Sequence, residues 1–194
     1  MLAALSACQN PSPDNTTGPD LKTQDINSLK CNILVDYVSR QFDMRGEKLI
    51  LSDEGSRIVF GDTIAFELAN FGRNPRTARP TEHHKRMAQA LIELSEKNAI
   101  RPTHECDALA ELKATRSYKP TAAYKEQAKS EELLVLPYTV LSVQMPIVDS
   151  AAREAIFDTS TYCGPLCASG QLIKYTQNPD GVWVYAGATE TWMS

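Results

Sequence analysis

The most reactive side chains in this chain are five cysteines, Cys8, Cys31, Cys106, Cys163 and Cys167, and three histidines, His83, His84 and His104. Cys163-Gly164-Pro165-Leu166-Cys167 places two thiols within reach of each other. Disulfide exchange needs a lowered thiol pKa, which a two-residue spacing at a helix N-terminus supplies. Here three residues intervene and a β-prone segment follows, so a structural clip is expected. His83 and His84 are neighbours at the start of a helical pattern, about 100° apart around the axis, and do not face one ligand together. They read as a solvated helix start. His104 and Cys106 have no further partners at metal-ligand spacing. Asp149 with Glu154, or Asp53 with Glu54, could serve as acid and base, but such pairs are common on solvated loops. No G-x-S-x-G, H-E-x-x-H or phosphate-binding loop occurs. These residue types point to binding rather than catalysis, with no cofactor or metal expected.

Binding needs other side chains. Tyr175, Trp183, Tyr185 and Trp192 cluster near the C-terminus, and large aromatics dominate interface hot spots. They are the expected partner-binding residues, with core filling as the competing role. The odd spacing of Trp183 and Trp192 puts them on opposite faces of a regular strand. Arg73, Arg76 and Arg79, with Lys85 and Arg86, form a basic cluster that reads as an exposed loop running into a helix. The 194 residues carry 20 basic and 24 acidic side chains, a formal charge of −4. That balance gives no electrostatic reason to expect a nucleic-acid partner.

Leu5-Ser6-Ala7-Cys8 resembles the lipobox of bacterial lipoproteins: a branched apolar residue, two small residues, then cysteine. The resemblance implies cleavage before Cys8 and a diacylglycerol on its thiol. Too few residues precede Leu5 to hold the basic and apolar regions of such a signal. Residues 1–7 are therefore expected to be the remnant of a longer one. Residues 8–27 follow as acylated cysteine and disordered tether, rich in proline and polar residues and too poor in apolar ones to fold. As a flexible coil this tether would reach about 25 Å. Gln9 after the cysteine, by the same resemblance, favours the outer membrane facing the periplasm. With Cys8 lipidated, four cysteines remain for two disulfides. Cys163 with Cys167 is the local pair, which leaves Cys31 with Cys106, although three connectivities are formally possible.

Residues 28–194 are expected to form one extracytoplasmic domain. Leu29, Ile33, Leu34, Tyr37, Val38 and Phe42 have the one-face spacing of an amphipathic helix, with Ser28 as its N-cap. Lys48–Ala69 reads as strand, turn and strand, with Leu49-Ile50-Leu51 and Ile58-Val59-Phe60 flanking Asp53-Glu54-Gly55, although Phe66–Ala69 could equally be helical. Thr81 caps a helix to Asn98, with Met87, Ala90, Leu91 and Leu94 as its buried stripe. Thr103–Ala114 reads as a further helical turn or two. The last third reads as strands over Leu133–Val148, Ala155–Cys163, Gly170–Gln177 and Val182–Trp192. Asn178-Pro179-Asp180-Gly181 turns the final hairpin. The fold class expected is α+β, with N-terminal helices packed on a C-terminal antiparallel β-meander.

The C-terminal pattern, from Tyr162-Cys163 to Gly181-Val182-Trp183 and Thr191-Trp192, resembles the G-x-W hairpin that ends NTF2-like and other small exported envelope domains. That resemblance implies a curved sheet and no particular activity. The function expected is a membrane-anchored, non-catalytic envelope lipoprotein that binds a protein or envelope component, of accessory, inhibitor or toxin-immunity type. The alternative is an envelope hydrolase or thiol-redox enzyme.

Overall fold

The computed structural model describes residues 25–56, 63–71, 79–96, 101–123, 126 and 135–193. The lipobox with Cys8, the tether up to residue 24, the Ile58-Val59-Phe60 run and the Arg73 and Arg76 positions lie outside these residues.

The chain is α+β, as the periodicities imply. Helix α1 spans Ile26–Arg45 and buries Ile33, Leu34, Tyr37, Val38 and Phe42, the stripe expected from their spacing. Its N-cap is Asp25, not Ser28: the Asp25 carboxylate accepts the Asn27 N–H and the Asp25 carbonyl accepts the Leu29 N–H. An aspartate also places negative charge at the positive end of the helix dipole. Strand β1 is Leu49–Leu51. Ile64–Asn70 is helix α2, so the second half of Lys48–Ala69 is helical where it is described. Helix α3 runs over Glu82–Glu96, followed by α4, Pro102–Glu105, and α5, Asp107–Arg116. Thr81 does cap α3. Its Oγ1 accepts the His84 N–H at 3.4 Å, and its own N–H donates back to His84 Nδ1 at 3.1 Å. This is the reciprocal arrangement of a capping box, with histidine in the place usually held by Glu or Gln.

Strands β2 (Thr139–Val143), β3 (Ile147–Asp149), β4 (Glu154–Tyr162), β5 (Ala168–Gln177) and β6 (Trp183–Met193) complete the sheet. The order is β1-β2-β4-β5-β6, and β3 also pairs with β4. The expected single run Leu133–Val148 is therefore split. β2 pairs with the second half of β4 and β3 with the first, so both line one edge of the same strand. Pro146, which cannot donate to a ladder, stands in the break. The β2-β4-β5-β6 part is the expected antiparallel meander, but β1 joins β2 in parallel, which makes the whole sheet mixed.

Helices cover both faces of the sheet. On one, α1 and α5 pack with Leu49, Leu51, Leu141, Val143, Ala155, Phe157, Ile173 and Tyr175. On the other, α2 and α3 pack with Ile156 and Leu172. The central strand β4 is buried from Ala155 through Thr159, polar Asp158 and Thr159 included, because helices cover both of its faces. Burial of these side chains, each contributing roughly 1.5–3 kcal/mol, is the main favourable term.

The cysteines are paired as Cys31–Cys106 and Cys163–Cys167, with Cα–Cα distances of 5.5 and 5.1 Å. The first joins α1 to the residue between α4 and α5 and lies within the α1-side core. The second clips the β4–β5 connection.

Candidate functional site

The seam between α1 and β6 combines exposed aromatic surface with a fixed framework. β6 is the last strand of the sheet and, among the described residues, is paired only with β5. Its register slips twice, between Gly170 and Gln171 and between Lys174 and Tyr175 of the partner strand. Each slip adds one residue to β6, so the two cancel in parity. Trp183 and Trp192 accordingly lie on opposite faces, as their odd spacing implies. Trp183 packs against the α1-side core. Trp192 lies across Gly170 on the α2–α3 side.

Two cavities of about 240 and 270 Å³ follow one another along this seam. The first is framed by Leu29, Asn32 and Ile33 of α1 and by Val182 and Trp183. The second is framed by Tyr37, Arg40, Gln41 and Met44 of α1 and by Tyr185. Asp36 forms the ridge between them. It accepts hydrogen bonds from the Tyr175 hydroxyl at 2.6 Å and from Arg40 Nε at 2.8 Å. Burial opposes ionisation of Asp36, but these two bonds outweigh it and hold the carboxyl below its ordinary pKa. Burial, and then the Asp36 charge, push the Tyr175 phenol well above its ordinary value.

Beneath the groove runs a chain of rings. Tyr185 meets Tyr175 edge-on at 5.8 Å, Tyr175 stacks on Phe157 at 6.2 Å, and Phe157 meets Tyr37 edge-on at 5.3 Å. Only Tyr185 reaches the surface, 40% exposed, while Tyr175 is 1% exposed. Tyr175 is thus buried beneath the groove, where it lines the first cavity: its ring lies between Phe157 and Tyr185 and its hydroxyl is bonded to Asp36. Exposed along the groove beside Tyr185 are Met44 and Val182. The α1 contribution to this surface is not evident from residue type. Its signal is the i, i+4 series Asp36, Arg40 and Met44 on the flank of the apolar stripe.

Two further clusters lie on the α2–α3 side. His83 is not a solvated helix start. Its Nδ1 is 3.3 Å from Asp149 and its Nε2 3.1 Å from Glu154, whose other oxygen takes Lys174. Burial works against the Glu154 charge, but Lys174 and His83 more than offset it, leaving the pKa lowered. Asp149 is lowered chiefly by the Ala152 N–H, with Ala151 and the His83 charge adding to it. The carboxylate pair noted in the sequence therefore meets a histidine through the fold, and ties α3 to β3, β4 and β5. Among the described residues no hydroxyl or thiol hydrogen-bonds to His83, and no group of three or more His, Cys, Asp or Glu is arranged to hold a metal ion. His84 points back to cap its own helix, so the two neighbours have separate structural roles.

Asp158 is the second cluster, and residue spacing gives no hint of it. It is 2% exposed in the middle of β4, and its side chain is hydrogen-bonded to the Ser56 hydroxyl. Burial pushes its pKa up to about 7, against the lowering effect of Ser56. The backbone carbonyl of Asp158 accepts the Gln144 N–H, and the Gln144 carboxamide donates to the Leu91 carbonyl of α3. A carboxylate directly after the apolar pair Ile156-Phe157 is the one trace of this site in the sequence. Of the basic cluster, Arg79, Lys85 and Arg86 are exposed and Lys85 pairs with Glu82.

No known protein family matches this chain, and neither does any curated protein or solved structure.

Proposed function

We propose that the chain is a membrane-anchored, non-catalytic envelope lipoprotein whose domain binds a protein partner along the α1–β6 groove. The reading is carried by one observation: Tyr185 is the exposed end of a ring series rooted in the core. A side chain held in this way loses little freedom on binding, which is what makes an aromatic an effective anchor. Met44 and Val182 supply apolar surface around it, and Asp36 with Arg40 supplies a polar ridge for orientation.

The lipobox and the polar tether support anchoring through Cys8, with periplasmic exposure at the outer membrane. The two disulfides are compatible with an oxidising compartment. The test is affinity capture from detergent-solubilised envelopes with the full-length protein, its Tyr185→Ala variant and a Glu111→Ala control on α5, a residue that lines neither groove cavity. The same specific protein should be retained by wild type and control and lost with Tyr185→Ala. Equal retention by all three would place the contact elsewhere, and acyl labelling that survives Cys8→Ser would remove the anchor.

A further inference from the structure

A separate cavity, of about 490 Å³, opens beside β1 on the side away from β6. Its size falls within the usual range for small-molecule sites, which are mostly apolar with a few polar groups fixing orientation. Ile50, Ala110 and Ala114 provide the apolar lining and Tyr118 an aromatic wall. The wall is held in place by main-chain bonding: the Tyr118 N–H donates to the Leu49 carbonyl, and the Leu51 N–H donates to Ser117 Oγ, both at 2.8 Å. The β1 edge is thereby occupied, and the space beside it is available to side chains and ligand.

The charges in this cavity do not cancel. Among the described residues, Asp53 is the only carboxylate lining it. It accepts hydrogen bonds from Lys113 and from the Thr103 hydroxyl, which hold its pKa below the ordinary value. Lys113 and Asp53 thus neutralise each other. Lys119 also lines the cavity and has no ion-pair partner among the described residues. One uncompensated ammonium over an apolar floor, on a chain of net charge −4, selects a ligand with one negative charge and an apolar body.

We propose that this cavity binds a small amphipathic monoanion, a carboxylate head on a short aliphatic body, with Lys119 taking the head and Ala110, Ala114 and Ile50 the body. The inference does not depend on the α1–β6 groove. It is tested by titrating octanoate into the full chain while following the Ala110 and Ala114 methyl resonances. Both should shift saturably. Lys119→Glu, an exposed position whose melting temperature should not change, should weaken binding by about tenfold or more, the loss of one charge-assisted contact. Octanamide, which keeps the body, and acetate, which keeps the head, should each bind more weakly than octanoate. Failure of the two methyls to saturate, an unchanged affinity in Lys119→Glu, or acetate binding as tightly as octanoate would each overturn the assignment.

Discussion

Trp192 lies flat across Gly170, its partner on the neighbouring strand, so that a Cβ built on Gly170 would overlap the indole ring. The glycine is therefore required for contact and not for a turn. Gly170→Ala should cost about 1–3 kcal/mol in denaturant unfolding, the usual range for overpacking. In a Trp192→Ala background the same change should cost almost nothing. Additive losses in the double variant would show that the two residues do not share this contact.

Asp158 predicts a pH dependence of unusual sign. Its folded-state pKa, about 7, stands above the ordinary carboxyl value of 3.8. A group raised in this way favours the folded state fully below its unfolded pKa, and that contribution is lost as pH rises through about 7. Asp158→Asn keeps the shape without the charge. The stability difference between wild type and Asp158→Asn should therefore shift against wild type between about pH 4 and pH 8, by a few kcal/mol. Taking the difference matters, because Asp36, Asp53 and Glu154 are lowered and lose stability in the acid range. A pH-independent difference would place the Asp158 carboxyl in contact with solvent.

The ion pairs of Glu154 and of Glu82 differ in their surroundings. Glu154 joins His83 and Lys174 in a half-buried cluster, whereas Glu82 meets Lys85 in open solvent. Glu154→Gln should cost about 1–3 kcal/mol at neutral pH, since it takes the carboxylate away from the Lys174 ammonium and the His83 ring. That contribution should already be absent from wild type once pH falls through the lowered Glu154 pKa. Glu82→Gln should leave the melting curve unchanged.

The Cys31–Cys106 bond closes a 75-residue separation and Cys163–Cys167 one of four. On chain-entropy reasoning, replacing the first pair by serine costs about 4 kcal/mol and the second about 2 kcal/mol. Non-reducing peptide mapping checks the pairing, and unfolding of the two double-serine variants checks the order. Equal losses would mean that strain or denatured-state structure outweighs loop entropy.

Elements with a strong local period are legible in the amino-acid sequence alone: the α1 stripe, α3 with its Thr81 cap, the Asn178–Gly181 turn and the strands it joins. Elsewhere contacts distant in sequence decide. Phe66–Ala69 has both helical and strand-like readings, and packing of Ile64 and Leu68 against α3 selects the helix. His83 reads as solvated because Asp149 and Glu154 lie more than 60 residues further on. The parallel β1–β2 pair is equally invisible to local pattern, since the loop from Leu51 to Thr139 carries α2 to α5 between its strands. Tyr175, Trp183 and Tyr185 are legible as a group, but only the fold separates the buried ring from the exposed one.

The α1–β6 groove is tested most directly by a photoreactive amino acid placed at Tyr185 in the full-length, membrane-anchored protein, with the same probe at Glu111 as control. Irradiation should join one discrete envelope protein to the Tyr185 position and none to the Glu111 position. No adduct at Tyr185, or the same adduct from both positions, would contradict binding through this groove.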